Sequence, residues 1–262
     1  MRIKSLLGSS ALFLTIALPA LADSPITTDA GRTPDAIPGG QAVERKSTGG
    51  LLTLPQIGGP AIATNLGPEA MKRHDSCLLK AEKSPKEAYE DGLIWRAEGG
   101  GALALHCVAR AQVGLGQYDE AAERLSLVAE MREVPDKDMR AAFLAEAGHA
   151  FLLANRNDEA RQKFSTAVEL TPQDSELRLD RAQSSILLND WGAAVADMDE
   201  ALKIKPNNPE ALRMRGEAKL ALRDFDGASA DAESALKTDP TYVPGLLLRG
   251  KVKEARAGRS VE

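Results

Sequence analysis

The sequence predicts an all-α solenoid of stacked helix pairs, and three observations predict it. Pro172, Pro206 and Pro240 stand 34 residues apart. Small residues keep fixed distances ahead of each proline: Gly148, Ala182 and Gly216 twenty-four before, Ala160, Ala194 and Ala228 twelve before, Ala167, Ala201 and Ala235 five before. Between these places larger apolar residues recur at three and four, the helical spacing. A period of this length holds one helix–turn–helix unit. Two helices of about 14 residues are too short to persist alone in water. They must pack at roughly 8–10 Å between axes, and at the closest approach only Gly or Ala fits.

The period and the recurring small positions resemble the tetratricopeptide repeat over three consecutive blocks. The resemblance implies about five helix–turn–helix repeats and a C-terminal capping helix: repeats near 69–101, 102–140, 141–174, 175–208 and 209–242, and a cap at 243–258.

In chain order, Met1 to Ala22 reads as a secretory signal peptide. Arg2 and Lys4 supply the basic start, Leu6 to Leu18 a short apolar run, and Ala20-Leu21-Ala22 the small-residue cleavage site before Asp23. The run is shorter than the roughly 20 apolar residues that span a bilayer; the alternative is an uncleaved anchor. No cysteine follows it, so no lipid-modified N-terminus is expected. Residues 23–67, rich in Gly and Pro and without helical or strand period, read as a flexible tether. Within them Leu51-Leu52-Thr53-Leu54-Pro55-Gln56-Ile57 is either a docking segment, for a partner or for the protein's own groove, or a linker with a few apolar residues; the linker reading is the simpler one.

Residues 68–258 are the expected solenoid. The first block has two helices divided at Ser84-Pro85, with Ala88 at a small position and Trp95 where later blocks have Ala; it is a divergent terminal repeat, as end repeats are. Gly99-Gly100-Gly101 lacks the Gly-Lys-Ser/Thr ending of a phosphate loop and reads as a helix C-cap and turn. In the second block Gly116-Gln117-Tyr118-Asp119-Glu120-Ala121 resembles the family's turn and second-helix start. Ala109 and Val128 hold its tight positions, and about five extra residues around Pro135-Asp136-Lys137-Asp138 form an extended helix or a loop.

The third to fifth blocks carry the expected core. It comprises Leu144, Phe151, Leu152, Phe164 and Val168, then Leu179, Ile186, Leu187, Val195, Met198 and Leu202, then Leu212, Leu220, Leu222, Ala232 and Leu236. Asp190 and Asp224 are placed to cap second helices. Asn208-Pro209-Glu210 reads as an N-cap, a first-position proline and a first-turn acid. Thr241 to Gly258 opens a further block, with Gly250 where Gly148 and Gly216 fell, and stops after one helix whose Lys251, Lys253, Glu254 and Arg256 make a polar cap.

Composition narrows the function. The chain has 262 residues, 43% hydrophobic but only 4% aromatic, as expected for Ala/Leu-packed short helices. Its net charge is −5 with no Lys/Arg stripe, which argues against nucleic acid and against an anionic membrane surface as partners. No membrane insertion is expected once the signal is removed. No nucleophile, metal or phosphate-loop motif occurs, so no enzyme activity, cofactor or metal is expected. His74, His106 and His149 lie on first helices of successive repeats without the i,i+4 spacing of a metal pair.

Cys77 and Cys107 lie on first helices of adjacent repeats, and the signal sends them to an oxidising compartment, so a disulfide is expected. The leader places the protein in the periplasm or outside the cell. In the repeat family the first helices line a concave groove for peptides or partner proteins. Carried onto this sequence, the groove candidates are His106, Arg110, Glu146, His149, Asp180, Gln183, Arg213 and Glu217. Of these, Arg110, His149, Gln183, Arg213 and Glu217 have no evident duty within their own helices, and Arg110 and Arg213 are expected to pair acids only in passing. The family's clamp for a C-terminal carboxylate uses Lys and Asn on these helices; none of the candidates is either, which argues against that ligand, and their mixed charge suggests a peptide of mixed or basic character. The function implied is a non-catalytic protein–protein interaction scaffold or adaptor in the cell envelope. The alternative is a structural accessory subunit of an envelope complex, contacting partners through its convex face and N-terminal tether.

Overall fold

The computed structural model describes residues 67–258. The expected signal peptide, the tether up to residue 66 with its 51–57 segment, and the last four residues lie outside them.

Eleven helices and no strand make up the described residues. They are α1 (Pro68–Lys83), α2 (Pro85–Ala97), α3 (Gly101–Gly114), α4 (Tyr118–Glu130), α5 (Lys137–Leu153), α6 (Asn157–Leu170), α7 (Ser175–Leu187), α8 (Trp191–Ile204), α9 (Pro209–Ala221), α10 (Phe225–Thr238) and α11 (Val243–Arg256). Each odd helix packs on the even helix that follows, and each even helix on the next odd one. Odd helices also meet directly, α1 with α3, α5 with α7, α7 with α9 and α9 with α11. They form the inner row of the stack. The chain is an all-α helical solenoid.

The turn inside the second to fifth repeats follows from local chemistry. Gly116, Asn155, Asn189 and Arg223 take positive φ between 58° and 75°. Each follows the last turn of a first helix, and the next residue donates its N–H back across that turn, as in Arg156 N to Phe151 O at 2.8 Å and Asp190 N to Ser185 O at 2.8 Å. This is the six-to-one bond of a helix end closed by a left-handed residue. Gly and Asn tolerate that conformation; Arg223 bears its steric cost. Asp190 and Asp224 then cap α8 and α10 by accepting from Ala193 and Gly227 N–H, and Asn208 caps α9 twice over.

The small positions are where the helices touch. Ala160, Ala194, Ala228, Ala167, Ala201 and Ala235 are buried. A Cβ on Gly148 would sit 2.6 Å from the Phe164 ring of α6, and one on Gly216 would sit 2.6 Å from Leu248 of α11. The apolar core runs from α3 to α7, continues through α7–α10 and closes under α11 with Ala228, Ala232, Leu248 and Val252. Two expected core residues are exposed: Leu187 ends α7 and Leu222 caps α9, where the helix has already turned away from its partner. Leu152, Ile186, Val195 and Leu220 are half-buried at the core's edge.

The extra residues of the second block go partly into the loop 131–136 and partly into a longer first helix: α5 has 17 residues from Lys137, against 13 in α7. The loop buries Val134, and Glu133 reaches back to accept the Ala102 N–H at 2.7 Å, serving the first turn of α3. At the other end of that repeat the three glycines make a helix end and turn. Gly99 and Gly101 have positive φ, and a Cβ on Gly100 would meet the Trp95 indole at 2.6 Å. Trp95 is buried under the Arg73 guanidinium, 5.0 Å from the ring centroid.

Ala228→Leu is expected to overpack the α9–α10 contact, because its neighbours there include the close-approach Gly216. A cost of about 1–3 kcal/mol follows. Lys203→Leu, whose side chain is mostly exposed, should cost little. Urea denaturation of the two variants checks this; equal midpoints would mean that the small positions are not the contacts.

Candidate functional site

The eight groove candidates all lie on α3, α5, α7 and α9, and the structure ties most of them together. His106 Nε2 lies 2.9 Å from Glu146 Oε2, which also takes Arg110 at 3.5 Å. His149 Nε2 lies 3.0 Å from Asp180 Oδ1. The first of these runs extends to α1, since His74 Nε2 lies 2.7 Å from His106 Nδ1. Consecutive first helices are thus stitched by side chains from α1 through α3 to α5, and again from α5 to α7.

Two candidates are corrected. His106 is only 4% exposed, held between His74 and the Phe143 ring, so it cannot touch a ligand in the inner surface. Its role is to align Glu146. Arg213, expected to pair acids only in passing, has a full duty within its own repeat. Its Nε lies 3.1 Å from Glu210 Oε2, a second nitrogen meets Glu210 Oε1 at 2.5 Å, and a third pairs with Glu217. Tyr242 at the start of α11 donates to the same Glu210 at 2.5 Å. The hydrogen bond from Arg213 holds the Glu210 carboxyl below its ordinary range against the effect of burial. Burial and Glu210 push the Tyr242 phenol up to about 12. Tyr242 ties the start of α11 to α9 through Glu210, which Arg213 holds in place.

What remains open to solvent on the inner row is Arg110, Glu146, His149, Asp180, Gln183 and, paired with Arg213, Glu217. Glu146 is partly exposed. Burial alone would raise its carboxyl, but the His106 hydrogen bond, with Arg110, holds it below the ordinary value. The hydrogen bond to Asp180 raises His149 above the ordinary imidazole value. Gln183, half-buried one turn along from Asp180, makes no side-chain hydrogen bond to another described residue.

His74 was legible only as a lone histidine. A carboxylate can only accept, so His106 donates from Nε2 to Glu146, and in its neutral form it accepts at Nδ1 from His74. That leaves His74 Nδ1 buried without a partner, its nearest acid being Asp75 at 3.9 Å. Burial lowers its pKa to about 4, with His106 adding to the effect. Protonating His74 would bury an unpaired N–H⁺. Its folded pKa is depressed below the unfolded 6.5, so the stabilisation is present above pH 6.5 and lost as pH falls toward 4, up to about 3 kcal/mol. His149 works in the opposite sense: its stabilisation is present below pH 6.5 and lost as pH rises through its raised value. His74→Gln, which keeps a donor near the Nε2 position and does not titrate, should flatten the stability difference between pH 6.5 and 4. Thermal melts across that range check it; an unchanged slope would rule His74 out as its source.

Cys77 and Cys107 are brought to disulfide distance, with Cα atoms 5.9 Å apart, beside the buried Ala88 of α2. The pair ties α1 to α3.

Repeated ion pairs escaped the sequence reading. Arg181 of α7 grips the buried Asp197 of α8, with Nε to Oδ2 at 2.9 Å. One period later Arg215 of α9 grips Asp231 of α10 through two bonds of 3.0 and 2.5 Å, while Lys219 adds a third at 2.9 Å. The signal was there: Arg181 and Arg215, like Asp197 and Asp231, stand 34 apart.

Among the described residues, no group of three or more His, Cys, Asp or Glu is placed to hold a metal ion, and no helix is long and apolar enough to cross a membrane.

A tetratricopeptide repeat family model matches residues 109–175, 146–209 and 179–243, which together cover more than half of the chain. No curated protein sequence matches it. Among solved structures, the C-terminal part of a TPR repeat-containing protein from Cytophaga hutchinsonii is 15% identical. That match covers 71% of this chain and 71% of that one, with a TM-score of 0.60. A MamA double mutant (RS-1, ArsTM) is 18% identical over 65% of this chain and 93% of its own, with a TM-score of 0.55. The first TPR of Spaghetti (RPAP3), bound to the HSP90 peptide SRMEEVD, is 24% identical over 46% of this chain and 95% of its own, with a TM-score of 0.44.

Proposed function

We propose, from the premise that this chain belongs to the tetratricopeptide repeat family, that it is a non-catalytic scaffold holding a segment of another protein against its inner row of helices. The observation that supports this is the inner row itself. Arg110, Glu146, His149, Asp180 and Gln183 follow one another across three successive repeats, backed by a buried layer that holds them in place.

The charges on this surface are already paired, so a ligand gains little by bringing one sign of charge alone. It suits an extended segment of mixed character, hydrogen-bonded by Gln183 and by the open faces of His149 and Arg110. The leader-like residues 1–22 support an exported, envelope location for this work.

Capture with the full chain as bait, from an envelope extract of the source organism, supplies the partner. His149→Ala with Gln183→Ala should weaken its binding by about fivefold or more, as contacts that matter in an interface do. Lys163→Ala with Glu233→Ala, on second helices, should not. The reverse pattern would reject the inner-surface reading in favour of an accessory subunit that works through its outer helices.

A further inference from the structure

The last described helix presents a seat that no described residue fills. In α11, Gly245, Leu248 and Val252 face inward and are buried. Directly opposite run Val243, Leu246, Leu247 and Gly250, all exposed, Val243 and Leu247 each 61%. Their spacing of three and four makes one apolar stripe along the helix.

Gly250 stands 34 residues after Gly216, the place where first helices of this chain receive a neighbour. At Gly148 that neighbour is the Phe164 ring of the second helix in its own repeat, and at Gly216 it includes Ala228 and Asp231 of α10. At Gly250 a Cβ would meet nothing within 4 Å.

Charge says what would fit. Arg249 and Lys253 flank the stripe on one side and Lys251 on the other, all exposed; Glu254 is the lone acid beside them. Arg256 is engaged with Asp226 and the Phe225 carbonyl. The second helices that occupy the equivalent seats on α7 and α9 are acidic and amphipathic. α8 carries Asp197, Asp199 and Glu200 against Lys203, and α10 carries Asp226, Asp231 and Glu233 against Lys237. A second copy of α11 would instead bring cation against cation.

We propose that the outward face of α11 docks an acidic amphipathic helix of a partner protein, which completes the last helix pair. The seat is distinct from the His149–Gln183 surface, so either can fail without the other.

The test uses the full chain and a fluorescent, hydrocarbon-stapled peptide with the α10 sequence, residues 224–239, followed by anisotropy. Stapling removes the cost of ordering a helix too short to persist alone. Saturable binding is expected, weakened about tenfold or more by Gly250→Leu and by Lys251→Glu with Lys253→Glu. Gly250→Leu lies on an exposed helix face and should leave the circular dichroism and melting temperature unchanged or improved. Equal binding by wild type and Gly250→Leu, or none up to about 1 mM peptide, overturns the proposal. So does a concentration-dependent dimer that Gly250→Leu dissolves, which assigns the face to a second copy. Binding that appears only after deletion of residues 51–57 assigns it to that segment and overturns the proposal likewise.

Discussion

Asp231→Ala is expected to destabilise the fold by about 3 kcal/mol, among the largest effects of any single surface-silent change in this chain. Asp231 is only 3% exposed and accepts from Arg215 and Lys219, both largely buried. Removing the carboxylate leaves two cations beside an apolar contact. The figure stays at the lower end of the range for broken buried pairs, because Arg215 keeps Asp199 at 2.6 Å. Asp231→Asn, which retains an acceptor, should cost less. Arg215→Met combined with Asp231→Leu should recover most of the loss, since apolar replacement of a buried pair is often neutral. Urea denaturation followed by circular dichroism measures all three. A loss below about 1 kcal/mol for Asp231→Ala would mean that the pair is held loosely enough for water to replace it.

Reduction of the Cys77–Cys107 bond is the second large effect. The bond closes a loop of 30 residues, for which the chain-entropy model gives roughly 3–4 kcal/mol. The loss should fall on the first repeat, because α1 is tied to α3 by this bond and the His74–His106 contact, and a solenoid's stability is a sum over neighbours. Hydrogen exchange after reduction should therefore accelerate in α1 and α2 and leave α7–α10 unchanged. Mass spectrometry of unreduced protein checks the bond itself: two alkylatable thiols would refute it, and uniform acceleration along the chain would refute the local account.

The repeat was legible because its causes are local. A left-handed turn wants Gly or Asn, a helix start wants Asp or Asn, and a close helix contact wants Gly or Ala; each demand leaves a residue at a fixed place in the period. The leucines at helix ends misled for the same reason. Leu187 and Leu222 keep an apolar spacing, but they stand at the very end of their helices, where the chain turns out of the contact. Groups whose role depends on a partner in another repeat were harder to read. His74 lies in a divergent block where register is weak, and only its distance from His106 reveals it as buried and neutral. Arg213 looked available because its two acids, three before and four after it, also look like ordinary solvated charges; the tight fork appears only once Tyr242 closes over Glu210.

The account stands on the inner row of helices as the surface that meets another protein. Site-specific photo-cross-linking tests that most directly, with a benzophenone residue at Gln183 of α7 in one full-length variant and at Glu233 of α10 in another, each irradiated in the source organism. The account predicts a discrete adduct of one partner from Gln183 and none from Glu233. The same adduct from Glu233, with none from Gln183, would contradict it.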